Sequence, residues 1–172
     1  GVLGLTAFMV ERDRPGVSIG KEEDKMGMRL SCTSEVIFDN VRVPKSHMLG
    51  KKNRGFKIIL ETLDHSRAGV GAFGVGIAQR ACEIATVYAK QRKQFGKPIN
   101  AFQNTQFKLA ELQTKVDAAR LMTWRAAKAK DNHENFGPYA AAAKLFASDV
   151  AVEVTRFAVQ AMGGYGYCRE YP

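Results

Sequence analysis

The sequence predicts an α+β protein: a β portion followed by three long helices that would pack as an incomplete antiparallel four-helix bundle. Up to about residue 50, short runs of β-forming residues sit between turn signals. From about Gly55 onward the apolar residues recur at a helical period. The composition is 45% hydrophobic and 25% charged, with no long unbroken apolar run. That is enough for a packed core and excludes both general disorder and a transmembrane helix.

Residues 5–10, Leu-Thr-Ala-Phe-Met-Val, are rich in β-formers and read as a strand. Arg14, Pro15 and Gly16 follow as a turn. Residues 34–39 partly alternate polar and apolar, and residues 41–44 close the run with Pro44 at a strand end or edge. Phe56, Ile59, Leu60 and Leu63 then fall on one helical face, which Ile77, Ala81, Ile84 and Tyr88 continue. Phe95-Gly96-Lys97-Pro98 breaks that helix. A second helix turns Leu109, Leu112, Val116, Ala119, Thr123 and Ala126 inward. A polar loop from Asn132 leads to Pro138, which suits the first turn of a third helix. That helix directs Ala143, Phe146, Val150, Val154, Phe157 and Ala161 inward and ends at Gly163-Gly164-Tyr165-Gly166. Three amphipathic helices close a bundle poorly, so a fourth is expected from elsewhere in the protein or from another chain.

The formal net charge of +9 over 172 residues suits a nucleic acid, a polyanionic cofactor or merely a basic surface. Basic residues are spread along the chain, and no recognition-helix motif appears, so a helical nucleic-acid-binding domain is the remote alternative. Three scattered cysteines, Cys32, Cys82 and Cys168, give neither a metal-ligand spacing nor a disulfide framework, and point to a reducing compartment. Gly1, rather than Met, begins the sequence, which reads as a start within a longer protein.

Gly69-Val70-Gly71-Ala72-Phe73-Gly74 matches a dinucleotide fingerprint, but it follows a helix instead of a strand. Close helix packing explains it better: Gly69, Ala72, Gly76 and Arg80 recur at helical spacing, unless the helix is interrupted there. Asp64 and Arg67 lie one turn apart, as an ion pair or as a grip on a phosphate or an adenine ring. Asp64, His65 and Ser66 are the residue types of a triad, but helix neighbours cannot adopt its geometry. Arg92 and Phe95 belong to a basic, aromatic helix end, and Gln103 starts the next helix, where free N–H groups suit anions. Gln160 to Gly166 is a glycine-rich helix end, either a C-cap or a place where backbone approaches a ligand. His47 and His133 read as surface histidines, and no metal site is expected.

These constellations occur in one order that resembles the acyl-CoA dehydrogenase flavoenzymes, especially the short- and medium-chain type. The resemblance runs from Thr6-Ala7-Phe8-Met9-Val10-Glu11 through Lys25-Met26-Gly27-Met28-Arg29 and Val36-Ile37-Phe38-Asp39. It continues through Gly76-Ile77-Ala78-Gln79, Arg92-Lys93-Gln94-Phe95-Gly96 and Gln160-Ala161-Met162-Gly163-Gly164 to Arg169-Glu170-Tyr171-Pro172. It implies that residues 1–50 are the later part of a β-barrel-like middle domain. Residues 51–172 would be a truncated C-terminal four-helix bundle of an FAD-binding homotetramer. Asp64 and Arg67 match positions that contact the CoA moiety. Arg92, Gln94 and Gln103 match positions that hold the FAD pyrophosphate and adenosine end, reached from a neighbouring subunit. Gln160, Gly163 and Gly164 match the backbone beside that cofactor half, and Phe95 matches the family aromatic there.

The implied reaction is α,β-dehydrogenation of an acyl-CoA thioester to the trans-2-enoyl-CoA. A glutamate takes the α proton, flavin N5 takes the β hydride, and electrons leave through an electron-transferring flavoprotein. Most of the family carries the glutamate in a segment that would follow Pro172. A minority carries it at the position of Ser66, which has no carboxylate. No catalytic residue is therefore expected within the chain, which taken alone should bind FAD poorly and catalyse nothing. The alternative is a non-catalytic member or assembly subunit that keeps the CoA and FAD contacts. The family implies a bacterial cytoplasm or a mitochondrial matrix, with no membrane and no nucleic acid as partner.

Overall fold

The computed structural model describes residues 3–171; Gly1, Val2 and Pro172 lie outside them. The chain divides into two compact units between Glu61 and Thr62. The first carries four strands, β1 (Ala7–Phe8), β2 (Val17–Glu22), β3 (Ser34–Phe38) and β4 (Met48–Leu49). They form two antiparallel ladders, β1 with β4 and β2 with β3, and no closed barrel among the described residues.

The turn at Arg14, Pro15 and Gly16 forms as expected, with the Val17 N–H donating to the Arg14 carbonyl at 3.0 Å. Gly16 has φ +90°, and a Cβ there would overlap the Asp39 carbonyl, so this turn requires glycine. β1 and β3 sit within the two expected runs. β2 and β4 do not. β2 reads Val-Ser-Ile-Gly-Lys-Glu, a weak strand former that is held by its ladder to β3. Residues 41–44, expected to close the strand run, carry no ladder pairing. His47 is half-buried instead of at the surface. Its Nδ1 lies 3.4 Å from Glu11 Oε1, without the alignment of a hydrogen bond.

The second unit is a three-helix, up-down-up packing of α1 (Gly55–Gln91, from Thr62 onward), α2 (Gln103–Asp131) and α3 (Gly137–Met162). A hairpin of β5 (Lys93–Gln94) and β6 (Lys97–Pro98) joins α1 to α2. The core contains Ala78 and Cys82 from α1, Leu112 and Val116 from α2, and Val150, Ala151 and Val154 from α3. Further along, Val75, Ala119 and Ala147 meet, and then Ala126, Ala140 and Ala143. The inward residues expected on α2 are buried, except half-buried Leu109. On α3, Ala143, Val150 and Val154 are buried, while Phe146, Phe157 and Ala161 are half-buried.

The face expected to be inward on α1 is not the packed one. Of that face Tyr88 is buried, Phe56, Ala81 and Ile84 are half-buried, and Ile59, Leu60, Leu63 and Ile77 are exposed. α1 instead turns Gly71, Gly74, Val75, Ala78, Cys82, Ala85 and Ala89 to its partners. It also runs unbroken through Gly69, Gly71, Gly74 and Gly76. Two of these make the close approach, and they are not Gly69 and Gly76, which have open space around them. A Cβ on Gly71 would stand 3.2 Å from Thr123 Oγ1, and one on Gly74 would stand 3.0 Å from the Ala147 carbonyl oxygen. Small residues on both sides let backbones meet. Phe73, Ile77 and Ile84 are left to line an apolar groove of about 550 Å³ between α1 and α3, where a further helix would complete a four-helix bundle.

α2 and α3 are also tied by charge. Glu153 of α3 meets Lys115 at 2.8 Å and Lys108 at 2.9 Å, and both lysines also reach Glu111. Hydrogen bonds from Lys115, then from Lys108, hold the Glu153 carboxyl below the usual carboxylate range, and Glu111 is lowered by the same two groups.

Two predictions follow from this packing. Gly74→Ala places its methyl against backbone, so overpacking outweighs the helix-propensity gain of about 1 kcal/mol. Urea denaturation should show a net loss, whereas Gly69→Ala should gain up to ~1 kcal/mol. The carboxyls of Glu111 and Glu153 have folded pKa values below their unfolded values. Their contribution is present above about pH 4.3 and fades as pH falls. Thermal midpoints of Glu153→Gln and the parent should therefore differ at pH 7 and converge as the pH falls through the lowered folded pKa of Glu153.

Candidate functional site

The last turn of α1, the hairpin and the end of α3 meet at one end of the second unit. They enclose an open groove of about 450 Å³. Among its lining residues are Arg92, Gln94, Gln160, Gly163 and Gly164, which brings together five of the seven residues singled out for the cofactor. The remaining two, Phe95 and Gln103, lie outside its lining. Phe95 stands at the hairpin tip, 93% exposed, and Gln103 is the exposed first residue of α2.

Each element is placed by local chemistry. Phe95 (φ +52°) and Gly96 (φ +78°) are the two central residues of the hairpin, a left-handed pair that matches the twist of two-residue hairpin turns. A phenylalanine at positive φ is strained, and it is held by the flanking pairs Gln94–Lys97 and Lys93–Pro98. The Phe95 ring meets Phe102 edge-on at 6.3 Å, and Lys97 Nζ sits 4.4 Å over the Phe102 ring. Arg92 donates its N–H to the Tyr88 carbonyl at 2.8 Å and accepts from the Ile99 N–H at 2.9 Å, so its backbone is tied to both α1 and the hairpin.

The glycines after α3 have different reasons to be glycine. Gly163 has φ +60° and its N–H caps the Gln160 carbonyl, so the C-cap reading holds for it. A Cβ on Gly166 would stand 2.5 Å from the Val159 carbonyl oxygen. Gly164 lines the groove, and a Cβ there would meet nothing within 4 Å. A guanidinium, two carboxamides and bare backbone facing open space suit a phosphate-bearing ligand brought close to the chain.

The other end of the second unit holds Asp64 and Arg67. They form a half-exposed ion pair one turn apart on α1. The Asp64 carboxylate also stands at the start of α3, where a Cβ on Gly137 would come within 3.1 Å of Oδ2. A negative charge at that helix N-terminus is stabilising. The Ser66 hydroxyl donates to the Leu63 carbonyl at 2.9 Å and so is engaged by its own helix. His65 packs edge-on against Phe136 at 5.0 Å. Cys82 is in the core, and burial pushes its thiol up, away from reactivity. Asp64 and Gln91 are 27 residues apart on α1, about 40 Å along the axis.

Residues 53–172 match the model of the acyl-CoA dehydrogenase C-terminal domain. The chain belongs to the acyl-CoA dehydrogenase family. It is 50% identical over 169 residues to the short-chain specific acyl-CoA dehydrogenase of Megasphaera elsdenii, covering 98% of this chain and 44% of that protein. Its fold matches butyryl-CoA dehydrogenase from the same organism with a TM-score of 0.96 and 49% identity, over 100% of this chain and 45% of that one. A chain in the structure described as the electron transferring flavoprotein of Acidaminococcus fermentans matches with a TM-score of 0.96 and 50% identity, again over 100% of this chain and 45% of that one. The chain thus spans less than half the length of the curated relatives it matches.

Ile99 and Tyr88 also line the groove, though neither stands among the residues expected there from the sequence. Ile99 carries no chemical signal, and Tyr88 reached the groove through the end of α1. The separate roles of the glycines give a direct check. Gly164→Ala should leave unfolding free energy within about 0.5 kcal/mol of the parent. Gly166→Ala should lose about 1–3 kcal/mol in the same denaturation measurement.

Proposed function

We propose that the chain is the later part of an FAD-dependent acyl-CoA dehydrogenase that converts an acyl-CoA thioester to the trans-2-enoyl-CoA. Electrons would pass on to an electron-transferring flavoprotein. The observation that carries this reading is the groove at the end of α1, where Arg92, Gln94, Gln160, Gly163 and Gly164 converge in a chain of this family. Its cationic, amide-lined and glycine-floored character fits the pyrophosphate and adenosine half of FAD. When bound, FAD supplies the two-electron acceptor for the β hydride of the acyl chain.

The chain's own residues then bind and orient. Arg92, with Gln94 and Gln103, would hold the pyrophosphate and adenosine end, its guanidinium supplying charged donors. Phe95 presents its ring from the hairpin tip. Gly163 and Gly164 leave backbone free to approach. Asp64 and Arg67, joined in an ion pair, would contact the CoA moiety. The separation of about 40 Å along α1 supports assigning the two ends to different active centres. A homotetramer in which each chain completes a neighbour's cofactor site fits that separation.

This reading assigns proton abstraction to no residue of the chain. Ser66 stands at the alternative position, but its hydroxyl is engaged by the helix and is no general base. The bacterial relatives and the mitochondrial ones support a bacterial cytoplasm or a mitochondrial matrix as the setting. Among the described residues no helix is long and apolar enough to cross a membrane.

In the holoprotein, Arg92→Gln should weaken FAD binding about 10- to 100-fold, as loss of a charged hydrogen-bond donor does. Arg67→Gln should raise KM for acyl-CoA and leave FAD content unchanged. Anaerobic butyryl-CoA should bleach the parent flavin spectrum, and the isolated 172-residue chain should show no turnover. Unchanged FAD affinity in Arg92→Gln would overturn the assignment of the groove.

A further inference from the structure

Arg92 is long, exposed and flexible, yet a pyrophosphate ligand works best when its guanidinium is already in place. Its backbone is anchored to Tyr88 and Ile99. Among the described residues no carboxylate pairs with its side chain; the contact it makes is with an aromatic face. The guanidinium carbon lies 5.5 Å from the centroid of the Tyr165 ring, a cation–π distance. Tyr165, 44% exposed, is itself held. Its ring meets Tyr171 edge-on at 6.2 Å, and Tyr171 meets Tyr88 edge-on at 5.8 Å. The Tyr88 hydroxyl donates to the Met162 carbonyl at 3.3 Å, at the start of the glycine segment. The contacts form a closed circuit from the last turn of α1, through three tyrosines, back to Arg92.

We infer that Tyr165 is a positioning residue that holds the Arg92 guanidinium over the groove for the cofactor's pyrophosphate. The inference rests on the proposed role of Arg92. An aromatic face suits this task better than a carboxylate. It restrains the guanidinium without neutralising it, and leaves its in-plane N–H donors free for phosphate. A carboxylate would compete for those donors.

The test is a double-mutant cycle on FAD affinity, measured by reconstituting the apo form of the full protein and following flavin fluorescence. Tyr165→Leu should weaken FAD binding about two- to fivefold, the range expected for an exposed cation–π contact. Tyr165→Phe, which keeps the aromatic face, should stay close to the parent. In an Arg92→Gln background, Tyr165→Leu should produce no further loss. If Tyr165→Leu does not fold, Tyr165→Met keeps an apolar side chain against Tyr171 without a face for the guanidinium, and the same pattern is expected. Equal losses from Tyr165→Leu in both backgrounds would mean that the ring acts on the ligand or the fold directly, and would overturn the inference. So would no loss in the parent background when Arg92→Gln still weakens FAD. If Arg92→Gln itself leaves FAD affinity unchanged, the reading of the groove fails and Tyr165 has nothing to position.

Discussion

The contact of α1 with its partners through Gly71 and Gly74 sets the geometry of the second unit. With no Cβ at either position, the α1 backbone comes against Thr123 on α2 and against the Ala143 and Ala147 carbonyls on α3. Glycine in a helix interior costs about 1 kcal/mol relative to alanine, so this close approach is made against local propensity. It also fixes the rotation of α1 about its axis. Once the small residues face the core, Phe73, Ile77 and Ile84 must point to the α1–α3 groove. The bundle is thus open along one side, with an apolar lining that a further helix would cover.

The same rotation and length place the candidate site residues at the two ends. Tyr88 is buried where α1 finishes, and its hydroxyl reaches the end of α3. That brings Arg92 and the glycine segment to one groove. Near the start of the second unit, Asp64 reaches the N-terminus of α3 while pairing with Arg67. Under the proposed function each end would receive a phosphate-rich group, which would give part of the +9 charge a partner.

Much of this was readable in advance, for reasons that differ by residue. Leu112, Val116, Ala119, Thr123 and Ala126 repeat at a helical period, and all are buried. The turn at Arg14-Pro15-Gly16 and the helix start at Pro138 follow from backbone chemistry that proline and glycine impose locally. β2 was not readable, because Gly20, Lys21 and Glu22 are poor strand formers and only the ladder to β3 holds them extended. The packed face of α1 was misread because hydrophobic periodicity favours the largest side chains. Here the largest ones line a groove, and glycine and alanine make the core.

By itself the sequence determined the α+β order, the three helices and their breaks, and the family. These depend on local propensity and on ordered motifs, both of which are written along the chain. The tertiary structure decided which face of α1 packs, and which glycines serve as cap, as close contact or as open floor. It also gathered Arg92, Gln94, Gln160 and Gly164 into one groove while leaving Phe95 at the hairpin tip and Gln103 at the head of α2. Those outcomes depend on steric fit between helices distant in sequence, and no local pattern encodes how closely two backbones will meet.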